Sequence, residues 1–516
     1  MEQKQQLLLE QGAGRFWNWL RPYRWAFFGA LVCGLLAHMF AFTNKLVNHD
    51  EVQCLFSKGA TVDSGRWGLG ALDSILPNFS MPWIYGIMTI VLIALAVCLM
   101  ADLFSIRSKL LQVLLGGCVL SFPSLTGTFG YMFTSSAYGI AFLLAVLAVW
   151  LLCRKNWLGT VLGLGAMVLS LSIYQAYIAV AASLLVLVLI QRLLEEDKTA
   201  LVFRQGVWFV GFLVVSLGVY YVGTQLVLKI TGTSFNSYAG DSITFRLADI
   251  PKMIALAYAM FLEMFRNSSY GIIPAGNSRI LHFVFLGICA VLLILWLVRK
   301  KRNVGGVLLL LVLLGVLPLA INCMYLFTSY YAVHTLVLYG FVGVYLLALI
   351  LTDNVFSGAE NVQIWQKMRY LSVNLMTLIL AAIVVGNIFL ANEAYLNLHL
   401  AYENTYAFYS TVLSTAQQMP GFDADTKIAV VGDQGTAVEQ NNDFGEVWNL
   451  TGIRLRRNDY SLQRFVEYYM GVQIPFTTYA ENEWIKQNPS FQQMPVYPAN
   501  GSIAMIDGCL VVKLSQ

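Results

Sequence analysis

Charge is scarce in this sequence. Asp, Glu, Lys and Arg make up 12% of 516 residues, where soluble domains carry about 25%. With 58% hydrophobic residues and a mean hydropathy of +0.66, a water-exposed fold is excluded, because only a bilayer absorbs so much apolar chain. Cysteine is also sparse. Six of the eight (Cys33, Cys98, Cys118, Cys153, Cys289 and Cys323) fall in or at the ends of apolar runs, which excludes a disulfide scaffold and leaves them as small buried apolar residues. Cys54 and Cys509 lie in polar segments, so a single bridge between them stays open. No internal repeat or low-complexity tract is present. No Gly-Lys-Ser/Thr follows Gly432 and Gly435, so that stretch reads as a turn rather than a phosphate loop. No small-x-small cleavage site follows the first apolar run, Trp25 to about Phe42. That run exceeds the ~7–15 residues of a signal core and reads as a retained span. The net charge of +4 identifies no partner by itself, and no nucleic-acid partner is expected.

What the sequence has is apolar runs of spanning length. They lie at about 25–43, 84–104, 110–128, 136–153, 157–173, 176–192, 207–228, 281–298, 305–323, 334–352 and 371–391. Each matches the roughly 20 residues that cross ~30 Å of hydrocarbon. The connections alternate in charge. One set is short and basic: Arg15, Arg21 and Arg24; Arg107 and Lys109; Arg154 and Lys155; Arg192, Lys198 and Arg204; Arg299 to Arg302; Lys367 and Arg369. Those segments face the cytoplasm. The other set comprises the loop 44–83, turns near 129–135 and 174–175, the loop 229–280, the turn 324–333 and the tail. The expected fold is therefore mainly α: a polytopic transmembrane bundle of about eleven spans. It divides into a cytoplasmic segment 1–24, a membrane domain 25–391 and an extracytoplasmic α/β domain 392–516. The split at Tyr174-Gln175 decides the alternation, because one long helix there would reverse it. Within the tail, 394–418 reads as helix, Lys427 to Asp433 as a buried strand, and Ile503 to Leu514 as a hairpin turning on Asp507-Gly508.

Three outer stretches carry the polar chemistry. The loop from Asn48 to Leu76 opens with His49, Asp50 and Glu51, then "SGRWGLG" with Arg66 and Trp67. Adjacent carboxylates at a membrane surface are ordinarily solvated charges. Here they sit at the level of a lipid headgroup, near an arginine that can pair with phosphate and a tryptophan suited to the interface or a sugar face. "FPSLTGTFGYMFTSSAY", Phe122 to Tyr138, fits a span ending irregularly outside, or Ser and Thr that satisfy backbone groups between helices. "SIYQAYIAV" places Tyr174 and Gln175 at an outer turn, where Gln175 bonds either a sugar hydroxyl or a neighbouring helix. The segment from Phe245 to Phe265 is amphipathic and is expected on the membrane surface.

The acidic pair after the first span, then "GRWG", "FPSL…YMFT" and "YQAY" in that order, resembles the bacterial Gtr type II glucosyltransferase family of GT-C membrane glycosyltransferases. The resemblance covers about residues 25–350. It implies transfer of a hexosyl unit, glucosyl by the family's type, from a polyprenyl-phosphate donor to a cell-envelope glycan (O-antigen, teichoic acid or other surface polysaccharide) on the outer face of the bacterial cytoplasmic membrane. It also places Asp50 and Glu51 at the family's acidic-pair position. The family often carries an acid after its "FMFTA", where this chain has Ser136.

An acceptor hydroxyl needs a general base and a phosphate leaving group needs cations or donors. On that logic Asp50 is the expected base, and Glu51 orients the site or shares a bound cation, Mg²⁺ or Mn²⁺, which would need further oxygen ligands. No other cofactor is expected. Arg66, Arg279 and His334 are expected phosphate contacts, with His49 beside them. Trp67, Tyr330 and Tyr331 serve the sugar or the interfacial belt. A lipid-linked sugar flippase or transporter is the first alternative, but the spans carry almost no ionisable residues near mid-membrane. An envelope glycan polymerase or ligase, or a glycan-binding scaffold, stays open.

Overall fold

The computed structural model describes residues 8–515 apart from 58, 60, 78, 196–197, 237–248, 267–271, 274–275, 301–302, 327–333, 355–362 and 433–458. The helices run α1 Leu8–Leu20, α2 Arg24–Thr43, α3 His49–Gln53, α4 Trp67–Asp73, α5 Pro82–Leu103, α6 Lys109–Leu120, α7 Pro123–Gly130, α8 Met132–Leu152, α9 Trp157–Ile173 and α10 Ile178–Leu194. They continue as α11 Thr199–Thr231, α12 Ile250–Arg266, α13 Asn277–Lys300, α14 Val304–Ile321, α15 Val342–Asn354, α16 Gln363–Ala416, α17 Asp459–Met470, α18 Tyr479–Ile485 and α19 Pro489–Gln493. Strands β1 Ile428–Val431, β2 Ile503–Ile506 and β3 Cys509–Lys513 form one sheet in the order β1-β3-β2.

Among the described residues eight helices are long and apolar enough to cross a membrane, and the pair α6–α7, bent by 40°, makes a ninth if it is one span. Two further apolar helices, Trp157–Ile173 and Tyr339–Asn354, fall short of that length. They occupy two of the eleven expected positions. The expected break at Tyr174 is present. Tyr174 is extended (φ −152°, ψ 106°), and a 3-10 turn Gln175–Tyr177 leads into α10.

Helix α10 lies at the centre, with 89% of its spanning window buried, whereas α11 is 17% buried and turns Val210, Val214, Tyr221 and Val222 outward. Such an apolar outer face suits lipid. Two polar clamps fix the bundle. At one end Asp102 accepts from Trp150 Nε1 (2.6 Å), Arg154 (2.8 Å) and the Tyr23 hydroxyl. In the interior His38 Nε2 meets the Leu120 carbonyl at 2.7 Å. A carbonyl can only accept, so the proton sits on Nε2, and Nδ1 accepts from the Tyr395 hydroxyl at 2.8 Å. That histidine ties α2 to the end of α6 and to α16.

Helix α16 joins span and tail without a break. Its 54 residues extend about 80 Å at 1.5 Å per residue. The strand expected at Lys427 to Asp433 is β1, buried at all four positions and parallel to β3. The hairpin β2–β3 turns on Asp507 (φ 48°) and Gly508 (φ 77°), the two positive φ values of a type I′ turn. Cys54 and Cys509 are free thiols, so the bridge left open is not made. The amphipathic segment is α12, with 245–248 outside the described residues. Rather than lying only on a surface, it buries Ala257, Met260, Met264 and Phe265, and Tyr258 donates to the Gly315 carbonyl of α14 at 2.7 Å.

Candidate functional site

Helix α3 carries the acids. Asn48 caps it: its side-chain oxygen accepts from the Glu51 N–H at 2.9 Å, and its amide donates to the Gly130 carbonyl at 2.7 Å. The cap therefore fastens α3 to the end of α7. The two carboxylates then diverge. Glu51 is fully buried, pairs with Lys45 and Ser80, and accepts from the Phe133 backbone N–H at 3.2 Å. Asp50 keeps a side chain 39% exposed, with His49 Nε2 at 3.5 Å from one of its oxygens.

His334 comes to the same place from the other end of the chain. Burial and the nearby His49 push its imidazole below the ordinary range, while Asp50 pulls the other way. The 3-10 turn that follows, Thr335–Val337, is anchored where the Ser124 hydroxyl donates to the Thr335 carbonyl at 2.6 Å. His49, Asp50 and His334 therefore share one polar patch beside the broken pair α6–α7.

A second cluster unites the "GRWG" and "YQAY" stretches. Arg66 lies 5.5 Å over the Tyr174 ring and donates to the Tyr138 hydroxyl at 3.3 Å, and Tyr138 stacks on Tyr174 at 3.9 Å. Gln175 donates to the Ser64 carbonyl at 3.1 Å and to the Tyr220 hydroxyl at 2.9 Å. Trp67 Nε1 donates to Thr224 of α11 at 3.2 Å, which ties the first outer loop to that helix. The glycines explain the motif. A Cβ on Gly65 (φ +74°) would stand 2.7 Å from the Tyr220 hydroxyl, and one on Gly68 2.1 Å from Ser172 Oγ. Gly68→Ala is expected to cost about 1–3 kcal/mol by overpacking this joint, read as a lowered thermal midpoint in detergent. A midpoint equal to wild type would show that the joint yields.

Sequence reasoning passed over Tyr131. From Phe122 to Tyr138 it is the one residue not fully buried. Its ring lies 6.2 Å from His49, and it stands within electrostatic reach of Tyr174, so it bridges the two clusters. The signal was its placement between two short helices in a run otherwise made for burial. The surrounding hydroxyls mostly satisfy backbone: Ser121 donates to Gly117, Thr128 to Ser124 and Ser135 to Met132. Ser136 keeps a buried hydroxyl without a partner among the described residues.

Arg279 lies near the start of α13, with its Nε buried and without a partner among the described residues. Tyr330 and Tyr331 lie outside the described residues. A cation shared by Asp50 and Glu51 does not fit the geometry, because Lys45 and Ser80 already hold one Glu51 oxygen and Phe133 the other. Among the described residues no three His, Cys, Asp or Glu side chains group as metal ligands.

These features define a helical membrane protein with an acid- and histidine-lined site where two loops meet a broken helix. Residues 39–347, more than half of the chain, match the family model "Glucosyl transferase GtrII", so the chain belongs to that family and is a glycosyltransferase by class. No curated protein and no solved structure matches the chain in the comparisons made. Both clusters lie inside the matched residues: His49, Asp50, Arg66, Tyr131, Tyr174 and His334 all fall between 39 and 347.

Proposed function

We propose that the protein moves a hexosyl unit, glucose being the first to test, from a polyprenyl-phosphate sugar to a cell-envelope glycan on the outer face of the cytoplasmic membrane. One observation carries this reading. Asp50 presents a partly exposed carboxylate beside His49 and His334, while Glu51 is consumed by buried contacts. The acceptor hydroxyl oxygen attacks the anomeric carbon as Asp50 takes its proton, and the bond from that carbon to the phosphate oxygen breaks. The departing lipid phosphate keeps the electron pair and needs cationic donors. Arg279 supplies one and the Arg66 region the other. The proton on Asp50 then returns to water.

The topology that goes with this reading has eleven crossings, counting the bent pair and the two shorter apolar helices with the eight long ones. The N-terminus is then cytoplasmic, and the acid helix and tail are outside. The alternation of basic connections supports that orientation.

The test incubates purified protein in detergent with polyprenyl-phosphate sugars and a glycan acceptor, identifies the carrier consumed, and weighs the product. A gain of one hexose is expected. Absence of any transfer, as a flippase would give in detergent, rejects the reading, and a gain of a whole repeat unit would make it a polymerase. Arg279→Ala is expected to raise the donor KM about tenfold or more, the scale of a lost charge-assisted hydrogen bond. An unchanged donor KM removes Arg279 from the phosphate site.

A further inference from the structure

The acid helix α3 has five residues, far below the ~12–15 that hold a helix in isolation. Its direction is therefore set by what it packs against. One side is fastened to the bundle through Asn48 and Glu51. The other side faces the tail. Val47 and Val52, 2% and 0% exposed, belong to the same buried cluster as Phe408, Tyr409, Ile428, Leu462, Phe465 and Val466. That cluster is the tail's own core, and α17 packs directly on α3. Just beyond α3, the Phe56 ring lies 5.2 Å from Tyr468 of α17, edge to face, and 5.5 Å from Phe79.

The tail lies outside the family-matched residues, yet two side chains of the first outer loop complete its core. We infer that the C-terminal domain is a positioning element for the acid helix: docking of α17 on Val47, Val52 and Phe56 fixes where the Asp50 carboxylate stands. Of the two anchors on α3, the bundle sets its depth and the tail sets its rotation, since Glu51 faces the first and Val52 the second. The inference rests on Asp50 acting as base, and it gives the tail a task in the reaction without contact to substrate.

Cys54 is the native reporter. It caps α3 at its C-terminal end, is 8% exposed, and burial pushes its thiol up to about 12. Fraying of α3 would expose it and restore its reactivity. The seam is opened from both sides with Val52→Ala, which leaves every tail residue in place, and Tyr468→Ala, whose side chain is only partly buried. Val52→Ile and Tyr468→Phe are the conservative partners. All are made in a Cys509→Ser background and treated with a membrane-impermeant maleimide, with labelling of Cys54 read by peptide mass.

In both alanine variants kcat should fall about tenfold or more, as expected of a base displaced by an ångström, with the donor KM within about twofold. Cys54 labelling should quicken about tenfold or more, and the conservative variants should behave like wild type. Unchanged labelling, or quickened labelling with wild-type kcat, overturns the inference. Asp50→Asn in the same assay separates the two readings. If it is inactive while the alanine variants work normally, only the positioning role fails. If it is fully active, the proposed function fails as well.

Discussion

Asp50→Asn is expected to lower transfer by about 10²-fold or more, the contribution typical of a general base, while expression and membrane insertion stay at wild-type levels. The substitution keeps size and removes the negative charge together with the ability to take a proton. Exposure favours tolerance: the Asp50 side chain is 39% exposed, and its neighbour His49 Nε2 stands 3.5 Å away at the edge of pairing distance. The measurement is the initial rate of hexose transfer per folded molecule in detergent. Retention of more than about a tenth of the rate would reject Asp50 as base on that scale. His334 is the residue to which such a residual rate would then point. Burial holds its imidazole below the ordinary range, which favours the neutral ring, the form that can accept a proton. His334→Gln combined with Asp50→Asn separates the two acceptors.

The apolar skeleton was legible because bilayer crossing leaves a long, coarse signal in a sequence. The break at Tyr174-Gln175, the buried strand at Ile428 and the turn at Asp507-Gly508 were legible for a local reason, since each is written in adjacent residues. The division of labour between Asp50 and Glu51 was not. Side by side on a five-residue helix the two acids look alike. Only contacts with Lys45, Ser80 and Phe133 on one side and the tail on the other decide which is buried. The Trp67 partner was hidden for the same reason. An indole in an outer loop suits an interface, and nothing in its neighbours tells that Thr224, 157 residues further on, takes its N–H. The tail's grip on α3 joins Val52 to Phe465, a separation at which spacing carries no information. The amphipathic pattern of α12 was read as a membrane-surface face, but an apolar stripe does not state whether lipid or protein will cover it, and here Ala257 and Met264 meet the bundle.

Glu51→Gln is expected to damage the fold rather than the chemistry. Both carboxylate oxygens are engaged as acceptors, one by Lys45 and Ser80 and the other by the Phe133 N–H. A glutamine has one acceptor oxygen and one donor NH₂. Turned either way, it sets donor against donor, facing the Lys45 ammonium or the Phe133 amide. Breaking a buried ion pair of this kind costs about 3 kcal/mol. The figure sits at the low end of its range because Lys45 keeps 26% of its side chain exposed and recovers some hydration. The variant should therefore show a lower thermal midpoint and less folded protein. Lys45→Met added to it should restore much of the loss. With the ammonium gone, the glutamine oxygen can face Phe133 and its NH₂ can donate to Ser80 Oγ. A single variant as stable as wild type would show that the pair contributes nothing. The double variant also decides between the two roles the acid pair permits. If Glu51 only holds α3 in place, transfer returns with the fold. If Glu51 takes part in proton transfer, the double variant folds and stays inactive.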